Sequence, residues 1–189
     1  MSDEDVVSEP RARLRVRPIT QRAAFAWVGR EHKHLPPPTG WLFGVAVESD
    51  GALCHVAILS RPLARKLQDG RTAEVSRAAS PKTHAPTPHA ASKALAALTR
   101  AALALGYTRL VSYTRADEKG TTYRAAGWRP TAITDGGEWS RSSRSSKAAV
   151  QPCRKVRWEY GPEAAPAIDV ALPLEQPQQE LALGDTEAA

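Results

Sequence analysis

Several side chains in this 189-residue chain have types and spacings that could do chemistry. Glu74 stands alone in the middle of a small, mostly apolar run, TAEVSRAA (72–79). A carboxylate there either pairs with Arg61 or Arg77 at the surface, or faces a cleft where burial raises its pKa and suits it to take a proton. Asp117 and Glu118 are further acids, just past TRLVSYT (108–114). Ala90, Ala91 and Ser92 open a run with helical spacing. The first turn of a helix has N–H groups without carbonyl partners and the positive end of the dipole, so it suits a diphosphate, or it is simply a capped structural end. Ser92 adds a hydroxyl there, and Lys93 and Arg77 lie close enough in sequence to assist. Tyr123, four residues before Gly127, offers a phenol, which gives its proton only to a strongly basic group, or else a packing residue of an amphipathic helix.

Histidines and the Ser/Arg run are weaker signals. Glu31, His32 and His34 spell E-H-K-H, which in an extended segment puts both imidazoles on one side. Two histidines without an identified third ligand fall short of a metal site, so no metal is expected. His55, His84 and His89 are lone residues, read as structural or solvated. The SRSSRSSK run (140–147), headed by Trp139, combines phosphate-contacting side chains with an indole that can stack on an unpaired base; a solvated loop is the plain alternative.

The elements that must position these residues can be read from periodicity. Residues 72–79 form a strand, 91–106 a helix whose Leu95, Leu98, Ala102 and Leu105 share one face, and 108–114 a second strand. Gly106 marks the helix end, and a right-handed crossover makes the two strands parallel. A short helix ending at Gly127-Trp128 closes the unit. Before it, RARLRVRPI is a strand with Leu14, Val16 and Ile19 facing inward, and Thr20 caps a helix with Phe25 and Val28 on its apolar side. Trp41 to Glu48 and Leu53 to Ser60 are strands joined by the hairpin signal Asp50-Gly51. Arg129 to Thr134 and Cys153 to Tyr160 complete the order β-α-β-β-β-α-β-α-β-β, antiparallel at its start and parallel around the main helix.

Composition bounds the organisation. The length suits one domain, residues 11–160, between an acidic N-terminus (1–10) and an acidic Pro/Gln-rich tail (161–189), both expected to be disordered. All 26 lysines and arginines lie in 11–160 with 10 of the 20 acids, a body charge of +16 that suits a polyanion, either DNA or a phosphate-bearing cofactor, or simply favours solubility. Arg141, Arg144, Lys147, Arg154, Lys155 and Arg157 are the candidates for DNA contact. No apolar run is long enough to span a membrane, and MSDEDVVSEP lacks the apolar stretch of a secretory signal. Cys54 and Cys153 are read as reduced thiols, and the expected location is cytoplasmic.

The joint spacing of SRPLARKLQDGRTAEVSR (60–77), HAASKAL (89–95), ALGYTRLVSYT (104–114) and YRAAGWRP (123–130) resembles a family of small GNAT-like proteins of phages and prophages, distantly related to Mom-type DNA-modifying proteins. GGEWSRSSR and KVRWE extend the likeness to about Glu159. The resemblance implies an α/β, GNAT-like fold, with a mixed central sheet of about six to seven strands and a main helix after the fourth. It implies an acyl-CoA-dependent N-acyltransferase using acetyl-CoA or another acyl-CoA, with the backbone of Ala78 and Ala79 on the pantetheine arm and Ala90, Ala91 and Ser92 on the diphosphate. Glu74 would be the general base and Tyr123 the acid that protonates the departing thiolate. Two departures bear on this: the loop before the main helix, KTHAPTPHAAS, has no glycine, and His89-Ala90-Ala91-Ser92 replaces the family's usual Asn-Ala-Cys-Ser. Base modification of DNA and non-catalytic binding are the alternatives on the same scaffold.

Overall fold

The computed structural model describes residues 13–33, 35–135 and 153–174. Residues 1–10, His34, Trp139, the Ser/Arg run at 140–147 and the chain from 175 lie outside them. Strand β1 (Leu14–Pro18) leads to helix α1 (Gln21–Glu31), the strands β2 (Phe43–Ser49), β3 (Ala52–Ser60) and β4 (Thr72–Ala79), and helix α2 (Ala90–Ala104). Strand β5 (Arg109–Arg115), helix α3 (Thr121–Ala125) and strands β6 (Arg129–Thr134) and β7 (Lys155–Tyr160) follow, in the order read from the sequence. The strands form one sheet of seven, ordered β1-β2-β3-β4-β5-β7-β6. Every neighbouring pair is antiparallel except β4–β5, the pair joined through α2.

Local chemistry explains the ends of these elements. Thr20 takes the N–H of Ala23 on its hydroxyl and starts α1. Asp50 and Gly51 both have positive φ, as the favoured two-residue hairpin turn requires. Strand β2 begins at Phe43 rather than Trp41, because the Trp41 indole folds over Gly44, where a Cβ would come within 2.8 Å of it.

Strand alternation divides the core between the two faces of the sheet. Val45, Val47, Ala57, Leu59, Ala73 and Val75 turn toward Leu95, Leu98 and Ala102 of α2. Ala46, Val56 and Ile58 turn the other way, onto Ala24, Trp27 and Val28 of α1. Each large buried side chain stabilises the fold by roughly 1.5–3 kcal/mol. Two expected core residues are not in it. Leu105 is 67% exposed, because α2 ends at Ala104 and Leu105 turns out of its stripe as its N–H caps Ala101 and Ala102. Val16 is 37% exposed on the edge strand β1.

The segment after β7 also differs from expectation. Composition suggests disorder from Gly161, yet residues 161–174 form a strap around the sheet edge. The Glu163 N–H donates to Thr108 O, the Ile168 N–H to Pro130 O and the Leu174 N–H to Ala116 O. Arg129 holds the Ala164 and Ala165 carbonyls, and Leu172 and Leu174 pack on the α2-side core. Backbone hydrogen bonds and two leucines supply what the polar composition hides.

Candidate functional site

The site begins where the sheet opens. β4 and β5 pair from Thr72–Arg109 to Val75–Ser112 and then part. Beyond that rung β4 continues to Ala79 against β3 alone. A bulge accompanies the parting: Val75 faces Leu59 and Arg77 faces Ile58, leaving Ser76 as the extra residue, its hydroxyl donating to Ile58 O. Bulges bend a strand and increase its twist, which carries β4 away from β5.

Tyr123 lies behind the last rung. Its hydroxyl is 2.7 Å from Ser112 Oγ, and Ser112 gives its own proton to Val75 O at 3.0 Å. The phenol is therefore the donor in the first contact. Trp158 stacks on the ring at 5.3 Å and Trp128 meets it edge-on at 5.6 Å. Burial pushes the phenol up to about 12, against the Ser112 hydrogen bond, which pulls it down.

Glu74 precedes Val75 and so projects from the opposite face of the sheet. It is 6% exposed, and its Oε2 accepts the Leu63 N–H at 3.0 Å. Burial raises its pKa above the usual carboxylate range, and the Leu63 N–H and the charges of Arg77 and Lys155 only partly offset this. No ion pair to Arg61 or Arg77 forms among the described residues. Glu74 and Tyr123 thus flank the split from its two faces, near enough for the Glu74 charge to act on the phenol.

At the expected cradle, α2 starts at Ala90. The Ala90 N–H donates to Thr87 O and the Ser92 hydroxyl to His89 O, while Ala91 and Ser92 keep first-turn N–H groups that the helix cannot pair. His89 reaches the helix with φ 61°, a left-handed conformation that His adopts more readily than most residues. Lys93 and Arg77 do not assist: Lys93 Nζ donates to Leu14 O, and Arg77 to Pro36 O and Ser76 O. Ala78 and Ala79 pair with β3 on one side and lie on the stretch of β4 that β5 leaves open on the other, although Ala79 O already accepts the Trp27 indole N–H at 3.1 Å.

The other candidates are dispersed. Asp117 is held by Arg115. His32 Nδ1 accepts the Leu35 N–H, and Glu31 binds Arg30 and the Lys82 N–H. No cluster of metal-ligating side chains occurs among the described residues. Arg157 is tied to Glu159 and Thr131. A shallow depression of about 440 Å³, lined by Leu103, Gly127, Arg129 and Glu159 among others, contains none of the expected site residues.

Sequence reasoning missed Ser112 and Ser76, because a serine within a strand gives no local sign of the distant carbonyl it will bind. It also missed three contacts that fix the start of the loop before α2: Trp27 to Ala79 O, His55 Nδ1 with Ser80 Oγ at 2.8 Å, and Glu31 to the Lys82 N–H at 2.9 Å. Burial lowers His55 to about 4, so the imidazole there is neutral.

No protein-family model and no curated protein matches the chain. Solved structures do. An acetyltransferase of Bacillus subtilis in complex with CoA is 14% identical, with a TM-score of 0.54 over 79% of this chain and 99% of that one. The ribosomal-protein-S18-alanine N-acetyltransferase of Escherichia coli is 12% identical, with a TM-score of 0.55 over 82% and 97%. A GNAT-family acetyltransferase of Elizabethkingia anophelis with acetyl-CoA bound is 13% identical, with a TM-score of 0.53 over 78% and 97%. The chain has the GNAT acetyltransferase fold.

Proposed function

We propose that the chain is an acyl-CoA-dependent N-acyltransferase. The observation that carries this reading is the parting of β4 and β5 after the Val75–Ser112 rung, with the Tyr123 phenol behind it and the buried Glu74 carboxylate before it. A binding module needs neither a desolvated acid nor a phenol at the mouth of a split strand pair; proton transfer uses both. The fold supports the same reading, since structures that share it have been solved with CoA or acetyl-CoA.

The residues fit an acyl-CoA in part. Ala91 and Ser92 can donate backbone N–H groups to a diphosphate at the start of α2. The unpaired edge of β4 near Ala78 can pair with the amides of a pantetheine arm, while the Ala79 carbonyl stays with Trp27. Acyl-CoA supplies an activated acyl group and a thiolate leaving group. Glu74, desolvated and above its ordinary pKa, takes a proton from an ammonium acceptor, directly or through water. Tyr123, protonated throughout the neutral range, turns its O–H from Ser112 toward the departing sulfur.

Isothermal titration with acetyl-CoA tests the reading, and absence of binding at millimolar ligand would sink it. A second reading, base modification of DNA by a phage-type protein on this fold, is motivated by the +16 charge of residues 11–160. Mass spectrometry of nucleosides from expressing cells separates the two.

A further inference from the structure

On the face that carries Glu74, α1 packs chiefly on β2, β3 and β4 among the described residues. The neighbouring strands β5 and β7 present a polar surface there. Val111 lies beside Glu74, Tyr113 is opposite Arg157, and Arg115 is opposite Lys155. Val156 and Trp158 point to the other face, so Lys155, Arg157 and Glu159 share this one.

The acids on this surface cannot balance its cations. Glu159 is fully buried and saturated: Arg109 binds it through two nitrogens at 2.8 and 2.6 Å, Arg157 Nε lies at 2.9 Å, and Thr131 and the Ala165 N–H complete its partners. Asp117 is taken by Arg115. Glu74 is left with Arg77 and Lys155 acting on it through space and with Tyr113 at its side, a phenol that feels the Arg157 charge in turn. A half-buried Lys155 therefore acts on the carboxylate, with a half-buried Arg157 next along β7, and the Lys155 side chain makes no hydrogen bond or ion pair among the described residues.

A simple amine entering here meets one buried carboxylate and a surplus of positive charge. An amine with an anionic group a few bonds away places its nitrogen at Glu74 and its anion toward Lys155 and Arg157, and turns the repulsion into attraction. We infer that the β5–β7 face beside Glu74 is an anion subsite, so that the acceptor is an amine bearing a carboxylate or a phosphate, with Lys155 as its main contact. The assignment of this molecule as an acceptor rests on the acyltransferase reading; the subsite does not.

Matched pairs test the inference. Phosphoethanolamine against ethanolamine gives the phosphate arm, and γ-aminobutyrate against butylamine the carboxylate arm. Binding to the full chain is measured by calorimetry, and acetyl transfer from acetyl-CoA is measured in parallel. The expected result is binding of one anionic member about tenfold tighter or more than its neutral partner, a charge-assisted contact being worth at least that factor. The ratio should fall to about one to three in Lys155→Met and return in Lys155→Arg, because only the cation is needed. Equal binding within both pairs, or a preference that survives Lys155→Met, overturns the inference. A preference that behaves as expected without any acetyl transfer upholds the subsite and sinks the acyltransferase reading.

Discussion

Replacing Tyr123 by Phe removes one oxygen and leaves the remaining contacts of the ring in place. The stack on Trp158 and the edge contact with Trp128 stay, and Ser112 still donates to Val75 O. What is lost is one neutral hydrogen bond of 2.7 Å, worth about 0.5–1.5 kcal/mol. For a domain of this size that lowers the melting temperature by about 2–5 °C. The effect on turnover is expected to be much larger. A positioned general acid contributes roughly 10²–10⁴-fold, or about 3–5.5 kcal/mol of barrier. Because burial pushes Tyr123 up to about 12, the wild-type phenol stays protonated across the assay range, and the loss in the variant should not vary between pH 6 and 9. The assay is release of free thiol from acetyl-CoA in the presence of an acceptor, with thermal melting followed by circular dichroism. Retention of more than about a third of kcat, with the melting temperature little changed, refutes Tyr123 as the acid. A collapse of the melting temperature assigns it to packing instead. Ser112→Ala is the control: it strips Val75 O of a donor and should cost about 1–3 kcal/mol of stability.

Glu74→Gln should lower kcat/KM by roughly 10²-fold and remove the acidic limb of its pH profile, since a base with a raised pKa loses activity as pH falls through that pKa. The same substitution should leave stability at neutral pH equal or greater, because a buried carboxylate with a raised pKa is destabilising while ionised; chemical denaturation reads this. His55, held at about 4 against 6.5 when unfolded, makes the unfolded chain bind more protons between those values, so stability should rise with pH across that window, by about 3 kcal/mol in all. Glu74 acts in the opposite sense, so the measurement is the difference in urea unfolding between wild type and His55→Gln, whose slope with pH should be shallower. If residues 11–160 bind DNA, removing 175–189, with four of the six tail acids, should strengthen binding in an electrophoretic shift, with a log–log salt slope of roughly −3 to −6 for the intact chain. Truncation at Gly161 also deletes the strap and should destabilise the fold; no retardation at low salt with either chain ends the DNA reading.

Much of the architecture was legible because its signals are local. The period of Leu95, Leu98 and Ala102, the Asp50-Gly51 pair and Thr20 each act within a few residues, and they place α2, the hairpin and α1 where the structure has them. Tyr123 and Glu74 are nominated through the family resemblance, by the places they take in its pattern. Their environment could not be read, because it depends on partners far away in sequence: Ser112 reaches Val75 across 37 residues, and Leu63 reaches Glu74 from a connection that reads only as polar. Leu105 was misread because one further residue of α2 would have kept it on the stripe. The strap was invisible for a related reason. Its order comes from backbone groups meeting Thr108, Pro130 and Ala116, and composition carries no record of which carbonyls are free at a sheet edge.

The glycine-free loop is the strongest sequence argument against phosphate binding, and the structure changes its weight. Glycine serves such loops by letting the backbone come close to the phosphate, at the expense of freedom that must be given up on binding. Here the start of the loop is already fixed. Trp27 and Glu31, one turn apart on α1, hold Ala79 O and the Lys82 N–H, and neutral His55 on β3 holds Ser80 between them. Pro81, Pro86 and Pro88 restrict the chain further, and His89 takes the left-handed turn that delivers it to α2. The ordering entropy of this segment is thus met in folding. Ala91 and Ser92 present their N–H groups from a helix end that does not have to form around the ligand. Close approach is lost where the side chains stand, but preorganisation offsets part of that loss. The buried residues behind the loop, rather than the loop's own composition, therefore decide whether the start of α2 can hold an anion.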